Sequence, residues 1–212
     1  PIGDKHILLT FSHVHSAMYV IGDYDKVRQK FIALRGGYLN SGRKGSGSIH
    51  APSAYPDGED GVYCIYNVTE GRQQDGWSQI MSIPRRYTLG EANRLHISPA
   101  GDIESLRTEA VKLNNIELPA YQEIVLEEVR GNTLEINAII DPGKAKYIRL
   151  KVLRANDKLE YTSVNFHREI GKDYANRSWN VRESMITLDP TFSTVDSTVD
   201  INEPQICHFQ YN

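Results

Sequence analysis

Cysteine is scarce in this chain. Only Cys64 and Cys207 occur in 212 residues, too few and too far apart to set out a disulfide framework, and neither belongs to a metal-type cysteine pair. An excess of charge of one sign is missing too. Lysine and arginine number 24 against 27 aspartates and glutamates, a formal net charge of -3, which provides no broad basic field and makes nucleic acid an unexpected partner. No apolar run approaches the roughly 18 residues of a spanning helix, no signal peptide is visible, and no membrane partner is expected. A Gly-x-Ser-x-Gly elbow occurs nowhere, which sets aside a serine hydrolase of that type, and no internal repeat stands out.

What is present is ordinary for a chain that buries a core, with 40% hydrophobic and 24% charged residues. Short apolar or alternating runs recur, each closed by Gly, Pro, Asn or Asp: HILLTF (6 to 11), AMYVIGDY (17 to 24), GVYCIYNV (61 to 68), SQIMSIPRRYTL (78 to 89) and RLHIS (94 to 98). Period two with Tyr, Val and Ile enrichment marks strands. Beyond residue 102 the alternation sharpens in QEIVLEEV (122 to 129), TLEINAII (133 to 140), YIRLKVLRA (147 to 155) and EYTSVNFHR (160 to 168). In TLEINAII, Leu134, Ile136, Ala138 and Ile140 share one face, the pattern of an antiparallel sheet with one wet side. The fold class is therefore all-β, in two modules that meet near the SPAGD turn at 98 to 102.

Candidate chemistry is spread thinly. The run GGYLNSGRKGSGSIHAP (36 to 52) places Gly37 and Gly42 at phosphate-loop separation, but Arg43 and Lys44 stand where Lys and Ser/Thr belong, and Pro52 and Pro56 prevent the helix that must follow. A solvated connection between strands is the simpler reading, and no cofactor is expected. His13 and His15 would share one strand face with no third ligand nominated, so metal binding is not expected either. The carboxylates Asp23, Asp25, Asp57, Glu59, Asp60 and Glu70 sit in turn-like contexts where solvated acids are the rule, and spacing selects no catalytic pair among them. Tyr55, Tyr63, Tyr66 and Trp77 cluster within one stretch; flat faces with polar rims suit sugar stacking, and filling a β core is the alternative.

The stretch DGWSQIMSIPRRYTLGEANRLHISPAGDIESLR (75 to 107) resembles glycoside hydrolase family 32, the invertases and fructan hydrolases. Gly76-Trp77, Ile83-Pro84-Arg85, Tyr87-Thr88-Leu89, Pro99 and Glu104-Ser105-Leu106-Arg107 follow one another in the family's order. Upstream, HILLTF, YVIGDYD and Phe31 are similar to late strands of the family's propeller; downstream, YTSVNFHR resembles a strand of its sandwich.

The resemblance implies a five-bladed β-propeller joined to a β-sandwich. Residues 1 to 97 are then expected to be the last part of the propeller and 103 to 212 a sandwich short of its closing strands. It also implies retaining hydrolysis of β-fructofuranosides such as sucrose and fructans by two carboxylates. The family carries these in Asn-Asp-Pro, Glu-Cys-Pro and Arg-Asp-Pro motifs, none of which occurs here; Asp141-Pro142 and Asp189-Pro190 fall in the sandwich part. On the resemblance, Pro1 falls just after the Glu-Cys-Pro segment, so no catalytic residue is assigned and the chain alone is expected to be inactive. The family's Tyr-Ala-Pro-like motif, whose aromatic lines the funnel, matches His50-Ala51-Pro52, and a family tryptophan falls near Asn67. His50 and Asn67 are thus the expected substrate-binding residues, with a carbohydrate as the partner. A non-catalytic carbohydrate-binding or structural β protein is the alternative.

Overall fold

A computed structural model describes residues 1–11, 17–39, 49–68, 76, 78–168, 184–199, 201 and 204–209. The chain is all-β. Among the described residues there is no α-helix, only two 3-10 turns at Glu91–Asn93 and Glu104–Leu106, and hence no helix long and apolar enough to cross a membrane. Two compact units divide the chain, Pro1–Thr108 and Glu109–Asn212.

The first unit holds two open antiparallel sheets. In one, β1 (His6–Thr10), β2 (Met18–Asp25) and β3 (Lys30–Tyr38) lie in the order β1-β2-β3. The β2–β3 turn forms because Asp25 Oδ1 accepts the amides of Val27 and Arg28, both at 2.9 Å, a side chain supplying bonds that the turning backbone cannot make. In the other, β4 (Ile49–Pro56), β5 (Val62–Val68), β7 (Arg85–Leu89) and β8 (Leu95–Pro99) lie in the order β4-β5-β7-β8, and the two-residue β6 (Ile80–Met81) also pairs with β5. Alternation decides what is buried: Val62, Cys64 and Tyr66 point one way from β5 and join Tyr87, Ile21 and Ile2 in one cluster. Tyr66 and Tyr87 are both 0% exposed, and the Tyr87 hydroxyl donates to that of Tyr66 at 3.2 Å.

The second unit contains one four-stranded antiparallel sheet: β9 (Tyr147–Val152), β10 (Thr162–His167), β11 (Ser184–Asp189) and β12 (Gln205–Phe209), in the order β12-β11-β10-β9. Among the described residues its buried positions are polar, with Ser163, Asn165, Ser184 and Thr187 all below 8% exposed.

The all-β class and most of the expected strands are as the sequence indicates, and among the described residues none of the sheets closes on itself. Two expectations need correcting. The runs 122 to 129 and 133 to 140 belong to no ladder. Alternation specifies a face, but a strand exists only where another strand takes its backbone bonds. Here the Gln122 amide donates to the Pro119 carbonyl and the Val129 amide to that of Leu126, so local turns take them instead. The run 78 to 89 is also not one strand: Ser82, Ile83 and Pro84 separate β6 from β7, and the Pro84 carbonyl accepts the Ala100 amide at 2.8 Å.

Candidate functional site

The hairpin of β4 and β5 carries both residues expected to touch sugar. Its turn is the acidic run Asp57 to Gly61. Asp57 Oδ1 accepts the amides of Glu59 at 2.8 Å and Gly61 at 3.0 Å, and Asp57 Oδ2 accepts Arg86 Nε of β7 at 2.6 Å. Gly61 has no room for a side chain, since a Cβ there would lie 2.5 Å from Asp57 Oδ2 and 2.8 Å from the Tyr87 carbonyl oxygen. The Arg86 guanidinium also binds Asp60 at 2.7 Å and Glu59 at 3.1 Å. The three carboxylates could converge on a metal, but the guanidinium already stands between them as their counter-charge.

Burial pushes the Asp57 carboxyl up, and the Glu59 amide, the Arg86 guanidinium and the Gly61 amide more than offset it, leaving the pKa below the usual carboxylate value. A depressed folded-state pKa stabilises the fold above the unfolded pKa of about 3.9, and that stabilisation is lost as pH falls through the folded value. The urea midpoint of the native chain should therefore exceed that of Asp57→Asn at neutral pH, with the gap closing on acidification below about pH 4. A gap constant from neutral to acid would show that the carboxylate's charge does no work in the turn.

Beyond the turn the ladder runs Tyr55 opposite Tyr63 and Ser53 opposite Ile65, then slips, and resumes with His50 opposite Asn67. Ala51 and Pro52 together stand against Tyr66, a bulge of one extra residue, and Ala51 takes φ 48°. A non-glycine residue in the left-handed region is uncommon and costs free energy, so its place is informative. The extra residue keeps His50 on the same face as Ser53 and Tyr55, opposite the core face of β5, and directly across from Asn67. His50 and Asn67 are both half-buried. The Asn67 amide nitrogen donates to Gln79 Oε1, and Asn67 also pairs with Met81 of β6. The adjoining backbone is fixed by Ser82, whose amide donates to the Tyr66 carbonyl at 2.7 Å and whose Oγ accepts the Tyr66 amide at 3.1 Å.

The remaining expectations separate cleanly. Tyr66 is core, with the Arg85 guanidinium 5.4 Å from its ring centre, whereas Tyr55 is 78% and Tyr63 44% exposed on the His50 face. Asp23 pairs with Lys5 at 3.3 Å, and Asp25 closes its turn. His13, His15, Gly42, Arg43, Lys44, Glu70 and Trp77 lie outside the described residues. An apolar recess of about 320 Å³, lined by residues including Ile7, Leu9, Ala54 and Val62, is lined by neither His50 nor Asn67. Gln79, which holds Asn67, and Arg86, which holds the turn, carried no sequence signal, because each acts through partners that only the fold brings near.

No protein-family model matches the chain. Among curated proteins it is similar to "Beta-fructofuranosidase, insoluble isoenzyme CWINV1" of Arabidopsis thaliana, 29% identical over 245 aligned residues that cover 95% of this chain and 42% of that protein. It is also similar to "Levanase" of Bacillus subtilis (strain 168), 28% identical over 130 residues, 59% of this chain and 18% of that one. The chain thus spans less than half the length of these relatives. Among solved structures it matches the Bombyx mori GH32 beta-fructofuranosidase BmSUC1 with a TM-score of 0.52 at 14% identity, over 97% of this chain and 47% of that one, a likeness of fold. The order of motifs from Gly76 to Arg107, the two relatives and the shared fold converge: the chain is similar to the C-terminal part of glycoside hydrolase family 32 proteins.

Proposed function

We infer that this chain supplies sugar contacts to a β-fructofuranosidase-type glycoside hydrolase, with residues 1 to 97 contributing the last part of the propeller and 103 to 212 the sandwich. The hydrolysis is of O-glycosyl bonds in β-fructofuranosides, sucrose or fructans, by a retaining mechanism whose nucleophile and general acid are not among residues 1 to 212. The observation that carries this reading is the pairing of His50 with Asn67 across the bulge at Ala51. An imidazole and a carboxamide side by side offer donors and acceptors to neighbouring hydroxyls, the few placed polar groups that a sugar site needs.

His50→Ala should weaken binding of a fructo-oligosaccharide about tenfold, the effect of losing roughly 1.4 kcal/mol of hydrogen bonding. Thermal stability should move little, as is usual for substitutions outside the core. Calorimetric titration beside a melting curve checks both, and unchanged affinity removes His50 from the site. A second reading, a non-catalytic carbohydrate-binding or structural β protein, is supported by the absence of the three acid-bearing motifs and by His50 and Asn67 standing where the family has aromatics. Sugar release by a chain extended upstream through those motifs favours the enzyme; binding without turnover by that longer chain favours the second reading.

A further inference from the structure

Among the described residues, the buried side chains of the second unit are polar. Asn165 is 3% exposed and Thr187 7%, on neighbouring central strands where apolar residues would pack at lower cost. Asn165 Nδ2 donates to Thr187 Oγ1 at 3.1 Å, which fixes the amide so that its Oδ1 faces β9. There Oδ1 accepts the Tyr147 hydroxyl at 2.8 Å and shares the Arg149 Nε proton, at 3.1 Å, with the Tyr147 oxygen at 2.6 Å. The guanidinium lies 5.3 Å from the Tyr147 ring centre. Arg149 is therefore held at Nε by a buried chain of hydrogen bonds while its residue stays exposed and, among the described residues, neither terminal amine has a partner. Fixing Nε already meets part of the entropy cost of ordering this side chain, so its planar fork of terminal amines is pre-organised for a ligand.

Two further groups share that face of the sheet. His167 stands opposite Tyr147, their rings 4.9 Å apart. Asp189 stands opposite Ser163, two positions along from Thr187. Its Oδ1 accepts the Thr191 amide and hydroxyl at 2.9 and 2.6 Å, and among the described residues its Oδ2 accepts nothing. Arg149 acts electrostatically on both His167 and Asp189.

We propose that Arg149, Asp189 and Tyr147, a residue 41% exposed, form a second binding site, on the second unit, for a neutral sugar with adjacent hydroxyls. The fork of terminal amines donates to two vicinal oxygens, Asp189 Oδ2 accepts from one of them, and the aromatic ring takes the sugar's apolar face. An oxyanion fits less well, because the Asp189 carboxylate cancels the guanidinium charge and would repel it. The site does not rest on His50 or Asn67.

The test uses the full chain carrying His50→Ala and Asn67→Ala, titrated calorimetrically with nystose, with maltotetraose and with inorganic phosphate. Saturable binding of at least one tetrasaccharide is expected, undisturbed by phosphate. Adding Arg149→Lys, which keeps the charge and loses the planar fork, should weaken it about tenfold, equivalent to two lost hydrogen bonds. Asp189→Asn, which keeps Oδ1 for Thr191, should weaken it similarly, and serves as the deciding variant where Arg149→Lys also lowers the melting temperature. Absence of binding to both tetrasaccharides, displacement by phosphate, or affinity unchanged in Asp189→Asn would each overturn the proposal.

Discussion

Residues 1 to 212, purified alone, should release no reducing sugar from sucrose or inulin above background. Retaining hydrolysis needs two carboxyl groups about 5 to 5.5 Å apart, one to attack the anomeric carbon and one, with a raised pKa, to protonate the leaving oxygen. Among the described residues, the carboxylates that are shifted go the wrong way. Asp57 lies low as its turn dictates, Glu123 is lowered by its hydrogen bond from Lys151, and Asp189 by the Thr191 hydroxyl. An acid held as its anion by amides and cations has no proton to give at neutral pH. Asp23 and Asp25 are committed to Lys5 and to a turn, and Glu59 and Asp60 share Arg86 with Asp57. General acid catalysis contributes roughly a factor of 100 to 10,000, so losing both the acid and the nucleophile should leave nothing measurable. A reducing-sugar assay decides the matter, with a β-fructofuranosidase of known activity as the positive control. Turnover by the 212 residues themselves would mean that carboxylates within this chain serve as nucleophile and acid.

Legibility followed the range of the interactions. Strands whose burial is one-sided were readable, because period two is a local property: GVYCIYNV became β5 with Val62, Cys64 and Tyr66 facing the core. Strands β3 and β4 were hidden by Gly36, Gly37, Pro52 and Pro56, residues that read as connection, and Phe31 alone hinted at β3. The opposite error fell on 122 to 140, where alternation is clear and no ladder forms, since a partner strand is not a property of the segment itself. The site shows the same limit. His50 and Asn67 were nominated by resemblance alone, and their pairing depends on a one-residue bulge that no propensity at Ala51 announces. The roles of Asn165 and Thr187 were unreadable for a further reason: polar residues in a strand are ordinarily its wet face, and here they are the buried one.

Tyr87→Ala should destabilise the first unit more than any surface change, and with it the hairpin that presents His50 and Asn67. Tyr87 stands in the middle of β7, with Val62 of β5 on one side and Ile97 of β8 on the other, and no part of it meets solvent. Truncating a buried aromatic removes its transfer free energy and leaves a cavity, together about 3–5 kcal/mol. Against a total stability on the order of 5–15 kcal/mol this is a large fraction, and the melting temperature should fall by more than about 10 °C. Tyr87→Phe keeps the ring and removes the hydroxyl that bonds both Tyr66 and Cys64, costing about 1–3 kcal/mol. Joining it to Tyr66→Phe removes both hydroxyls at once, so the double variant should lose less than the two single variants summed. The pair also sets an alkaline limit. Burial first, then the hydrogen bond with Tyr66, push the Tyr87 phenol far above its ordinary value. A raised folded-state pKa gives stability that is complete below the unfolded value of about 10 and declines as pH rises beyond it. Denaturant midpoints from pH 8 to about 11 should therefore fall more steeply for the native chain than for Tyr87→Phe. Parallel curves, or a Tyr87→Ala chain that melts with the native one, would show that the two rings do not form the core from which the hairpin is built.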